Sequence, residues 1–182
     1  MITNTGRILI GGCSCQWIGS DPFVSPPITI EGVAKNNMYP NILMGSVGGG
    51  VFTIPRKAND FSIDGMCMRI GLDNTEPQET DYNLGNTMLN GVDVNTVIKC
   101  MSLESVITDY GDVCFVGLFT NTTNYDIDIK EVGLFLTYIN VNYPEFSGNY
   151  LIARSNVKGG KLTFKAMETN TLSIQLKYNA KI

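Results

Sequence analysis

Histidine is absent from this chain. Its absence removes Ser-His-Asp and Cys-His mechanisms, and with them most zinc hydrolases. Charge is scarce as well: 16% of residues are charged, against about 25% in ordinary soluble domains. A surface so short of charge implies that part of it is covered by a partner. The net charge of −4 and a pI near 4.8 argue against the basic surface that nucleic acid or an anionic membrane would require. Long apolar runs are missing too. Ile8–Ile10 after Arg7 falls far below the ~7–15 residues of a signal-peptide core. No stretch approaches the roughly 18 apolar residues of a membrane span. A soluble protein made in a cytoplasm is expected.

Cysteine is limited to Cys13, Cys15, Cys67, Cys100 and Cys114. An odd number at low density reads as reduced thiols rather than a disulfide framework. Cys13-Ser-Cys15 with Cys67 would offer three thiolates to a soft metal. Zinc sites more often use C-x2-C spacing, and no histidine completes the set. These are read as loop and core thiols, with no metal and no cofactor.

What is present is apolar and β-prone. Hydrophobic residues make up 43% of the 182, enough for one domain with an extension or for two small ones. Nineteen glycines, many Asn and Thr, and few helix-favouring runs point to an all-β fold. Tyr125, Ile127 and Ile129 alternate with Asp126, Asp128 and Lys130, the period of a half-buried strand. Val132–Ile139 is apolar at nearly every position and reads as a strand covered on both faces. Asn140–Gly148, with Tyr143-Pro144, turns the chain, and Asn149–Ser155 returns as the partner strand. Met66–Leu72 and Asp112–Phe119 are further strands, the latter buried. Val94–Tyr110 fits helix or bent strand, its β-branched content favouring strand. At the C-terminus Lys161–Ala166 and Leu172–Asn179 alternate and read as an antiparallel pair. The fold expected is an antiparallel β-sandwich, jelly-roll-like, over residues 61–182.

Residues 1–60 differ in character. Pro22, Pro26-Pro27, Pro40, Gly48–Gly50 and Pro55 punctuate short apolar pieces, which cannot form central strands. Two readings stand: edge strands and loops of the same domain, or an extended Pro/Gly-rich arm that anchors on a neighbouring subunit. Such pieces bury too little surface alone, so the arm is expected to order only on assembly. Gly48–Gly50 is followed by no Lys-Ser/Thr and no helix, which excludes a phosphate loop.

Few residues offer chemistry. Asp73, Glu76, Glu79 and Asp81 crowd the polar loop 73–85, but EF-hand spacing is absent and a solvated turn capped by Asp and Asn is the simpler reading. No motif brings two carboxylates together as a glycosidase needs, and a non-catalytic protein is expected. One charge pair stands out. Glu131 opens the apolar strand and Arg154 lies near the end of its partner, so a turn about Tyr143–Pro144 brings them nearly opposite. Partly buried there, the pair would fix the register of the hairpin.

Ile70–Gly85 (I-G-L-D-N-T-E-P-Q-E-T-D-Y-N-L-G) resembles the I-G-x-G-x-T-x-P-x-x-x-D-x-x-L segment of many tailed-bacteriophage structural proteins. Ile129–Phe135 (I-K-E-V-G-L-F) and Leu151–Ser155 (L-I-A-R-S) resemble the E-V-G-L-F and L-x-A-R-S that follow in the same order. A closing alternating strand, Leu172–Tyr178, completes the pattern, which spans about residues 66–182. Leu72-Asp73-Asn74 departs from it where a glycine-threonine turn is usual, so that loop is expected to differ in shape or role. The resemblance implies a β-sandwich built into a virion, assembled in the host cytoplasm as a capsid decoration, head fibre or tail component. Its partners would be other virion proteins and further copies of itself. The alternative is a receptor- or glycan-binding module of a tail fibre, with Trp17, Tyr143 and Phe146 as partner-contacting aromatics.

Overall fold

The computed structural model describes residues 1–6, 28–35, 65–107, 113–138 and 147–176. Its body is an antiparallel sandwich of two three-stranded sheets. The first has the order β1 (Gly65–Gly71), β7 (Glu131–Tyr138), β8 (Gly148–Asn156). The second has the order β10 (Thr169–Leu176), β5 (Val113–Asn121), β4 (Ile98–Ile107). Two short ribbons flank them: β2 (Met88–Leu89) with β3 (Val92–Asp93), and β6 (Ile127–Ile129) with β9 (Leu162–Phe164). The β2–β3 connection is Asn90-Gly91, both residues at positive φ (51° and 82°), the backbone of a two-residue hairpin whose twist matches its strands. Helical turns occur at residues 4–6 and Val94–Val97.

The central strand β7 shows why the first sheet has two dry faces. Val132, Leu134 and Leu136 point into the space between the sheets, with Met66, Met68 and Ile70 of β1 and Tyr150 and Ile152 of β8. Leu103 of β4, Phe115 and Phe119 of β5, and Leu172, Ile174 and Leu176 of β10 close that core from the other side. Phe135 points the opposite way, into a smaller cluster with Cys67, Leu84 and Leu151. Loop 72–87 and residues 28–32 lie over that second face, where Leu84 and Ile30 seal the small cluster. A strand apolar at every position is what two covered faces require.

β8 contains a bulge. Leu134 pairs with Ala153 but Phe135 with Leu151, leaving Ile152 as the extra residue. Leu151 and Arg154 are three residues apart, which in a regular strand puts them on opposite faces. The bulge returns both to the face shared by Glu131, Gly133 and Phe135.

The structure departs from the sequence pattern at several places. Leu162–Phe164 and Thr169–Leu176 do not pair with each other: β9 joins β6, and β10 joins β5. Their half-buried alternation is real, but periodicity does not name a partner. Val94–Val97 makes one helical turn, capped by the Asp93 side chain, before the strand starts at Ile98. Tyr125 is exposed, because the strand begins only at Ile127, after a bend. In β5 only alternate residues are buried, so the strand is covered on one face and not on two.

Candidate functional site

On the outer face of the first sheet the structure brings Glu131 and Arg154 together. Glu131 pairs with Asn156 and Arg154 with Gly133, a diagonal cross-strand relation. Arg154 Nε donates to Glu131 Oε2 at 2.6 Å. Glu131 is 0% exposed and Arg154 3%, so both charges are held inside the fold.

A third charge arrives from the polar loop. Arg154 Nη1 donates to Asp81 Oδ2 at 2.7 Å, and Nη2 to the Thr75 carbonyl at 3.4 Å. The backbone N–H of Gly85 donates to Glu131 Oε1 at 3.0 Å, and that of Asn86 at 3.2 Å. The loop is thus clamped at both ends: Thr75 and Asp81 by the guanidinium, Gly85 and Asn86 by the carboxylate. Room for the carboxylate comes from Gly71, directly opposite Glu131, where a Cβ would collide with its side chain. Burial works against the Arg154 charge, but the bond to Asp81 and the charge of Glu131 outweigh it and raise the guanidinium pKa further.

The loop is therefore more than a solvated turn. Asp73 does cap it locally, accepting from the Thr75 hydroxyl at 2.7 Å and its N–H at 3.1 Å, which together hold the Asp73 carboxyl below its usual range. Asp81, however, is committed to Arg154. Among the described residues no group of three or more Cys, Asp or Glu side chains is placed to hold a metal ion.

A second set of buried polar groups closes the other edge of the sheet. Asn95 accepts from the Ile70 N–H and donates to the Ile70 carbonyl, each at 2.9 Å, so one side-chain amide satisfies both edge groups of that residue. Asp93 fixes Asn95 and also pairs with Arg69.

The second sheet is different. Its inner side belongs to the core, while its outer side presents Met101 and Val106 of β4, Leu118 of β5, and Thr169, Thr171, Ser173 and Gln175 of β10. Met101 and Val106 are each 52% exposed and Leu118 39%. Among the described residues, Lys99 and Glu104 are the charged side chains of this face. Cys114 lies half-buried beside Val106, and Val116 continues the apolar column between Cys114 and Leu118.

Between the edges of the two sheets lies a cleft of about 480 Å³, walled by Met1 and Ile2 on one side and Ser173–Leu176 on the other.

Of the residues singled out from sequence, Trp17, Tyr143 and Phe146 lie outside the described residues, as do Cys13 and Cys15. Cys67 is buried against apolar side chains. The sequence does not single out Asp81, the Gly85 and Asn86 amides or Gly71 as partners of the Glu131–Arg154 pair. The crowding of Asp and Glu in 73–85 was visible, but nothing in the sequence says which of them meets an arginine seventy residues on.

These features define an all-β sandwich with an ion-clamped loop on one sheet and, on the other, an outer face that no other described element covers. No family model, no curated protein and no solved structure matches the chain. No helix of the described residues is long and apolar enough to cross a membrane.

Proposed function

We propose that this chain is a non-catalytic structural protein of a tailed-bacteriophage virion, assembled in the host cytoplasm onto the capsid, as a decoration or head-fibre protein, or into the tail. The observation that carries the reading is the outer face of the second sheet. Three large apolar side chains stand exposed there, beside two charged ones among the described residues. Contiguous apolar surface of this kind marks a place where another protein sits. The Glu131–Arg154–Asp81 clamp supports the same reading, since it makes loop 73–86 part of one rigid body. The motif order through Ile70–Gly85, Ile129–Phe135 and Leu151–Ser155 supplies the virion context by resemblance. The partners are other virion proteins and further copies of this chain.

Breaking purified particles into capsids and tails and locating the chain by mass spectrometry tests this directly. Co-sedimentation with capsids makes it a head protein and co-sedimentation with tails a tail component. Absence from both fractions refutes the proposal. The competing reading, a glycan-binding fibre module, draws support from the exposed rings of Tyr82 and Tyr125. Binding on a glycan array by protein that is missing from particles would favour it.

A further inference from the structure

The outer edge of β8 is finished by residues that do not belong to the sandwich body. Residues 1–3 lie antiparallel to it, with Ile2 opposite Ala153. The Arg154 N–H donates to the Met1 carbonyl at 2.9 Å, and the Thr3 N–H donates to the Ile152 carbonyl at 3.0 Å. The Thr3 hydroxyl donates to the Leu151 carbonyl at 2.6 Å and accepts from the Gly6 N–H at 2.9 Å. Thr3 and Thr5 are buried. Gly6 approaches so closely that a Cβ would collide with the Ile152 carbonyl oxygen. This is a fitted seat for one short extended segment. Further along the same edge the Ile30 N–H donates to the Asn149 carbonyl at 2.9 Å.

We infer that this seat exchanges its occupant: in assembled material residues 1–6 of one copy occupy the β8 edge of another copy. Three features support it. The seat is made largely of backbone bonds, which a second copy offers identically, so the exchange leaves the contacts unchanged. The segment is short: opening it withdraws Ile2 from the rim of the core but leaves the buried residues between the sheets and the β7–β8 pairing in place. Residues 7–27 join it to the next described piece, and that length reaches about 70 Å when extended, beyond the width of one domain. Crowding copies in an assembly raises the effective concentration of neighbouring segments at each vacated edge. The inference rests on the assembly reading above and adds the partner, a second copy, and the element that it lends.

The test uses the full chain with Ile2→Cys and Ala153→Cys, a cross-strand pair close enough to oxidise to a disulfide. Isotope-labelled and unlabelled copies are mixed before assembly, oxidised, and the peptide linked through positions 2 and 153 is weighed. Mixed-isotope linked peptide in assembled material, and single-isotope peptide in dilute unassembled protein, is the expected result. Single-isotope peptide in both overturns the exchange and leaves the assembly reading standing. A chain that stays monomeric at every concentration also overturns the exchange, while the assembly reading stands or falls on the particle fractions.

Gly6→Val provides a check that needs no cysteine. The side chain denies the seat to any copy's segment, so the variant should keep the sheet signature of the body in circular dichroism. It should need about tenfold or more protein to assemble. Assembly at the wild-type concentration would overturn the inference.

Discussion

Removing the Arg154 guanidinium would leave Glu131 buried with only the Gly85 and Asn86 amides for company. Arg154→Met should therefore lower stability by about 3–5 kcal/mol, the range for breaking one side of a buried pair. Asp81→Asn keeps a hydrogen-bond acceptor at a partly exposed position and should lose about 1–2 kcal/mol. Urea unfolding of these variants, with Glu131→Gln and the Glu131→Gln/Arg154→Met double, gives the coupling energy. Additive losses would show that the pair does not act as a unit. Cys100 behaves differently. Burial pushes its thiol up to about 11. A raised thiol pKa favours the neutral form in the fold, so its contribution is complete below the unfolded value near 9. That contribution is lost as pH rises from about 9 through 11. The folded protein should resist alkylation at Cys100 at pH 8, and the stability difference between wild type and Cys100→Val should change between pH 8 and pH 11. A pH-independent difference would contradict the assignment.

At the scale of elements, buried amides hold pieces that the main sheets do not pair. Asn121 ends β5, and its Nδ2 donates to the carbonyls of Tyr125, Phe164 and Lys165 at 2.8, 3.1 and 3.0 Å. Its Oδ1 accepts from the Thr123 N–H and hydroxyl. One side chain thus fastens the β5–β6 bend to the end of β9. Asn121→Asp replaces that donor with an oxygen facing three carbonyl oxygens and should lower stability by about 3 kcal/mol or more. Unchanged thermal melting would show that the amide is dispensable. Such residues mark the boundary of what sequence reveals. Strands β1, β7 and β8 and the meeting of Glu131 with Arg154 were legible because a hairpin relates positions by counting. Asp81 was not, since a loop residue reaches Arg154 only after the chain has folded back across the sheet. The β9–β10 pairing failed for the same reason: adjacency in sequence suggested a hairpin, while the vacant edges belonged to β6 and β5. The bulge at Ile152, which decides the face that Arg154 takes, leaves no trace in the pattern L-I-A-R-S.

For the whole molecule, the two sheets divide the work. The first is covered on both faces and clamped by charge. The second presents Met101, Val106 and Leu118 as exposed side chains on its outer face. That face carries three exposed apolar side chains, and it is where the proposed function is most exposed to test. Leu118→Asp changes a surface side chain, so melting should stay within about 0.5 kcal/mol of wild type. The decisive measurement is the number of Leu118→Asp copies per purified particle when variant and wild-type chains compete for incorporation. The account predicts particles carrying wild-type chains with the variant largely excluded, although both are equally folded. Equal incorporation of the two would contradict the assignment of this face as the one through which the protein is built into its assembly.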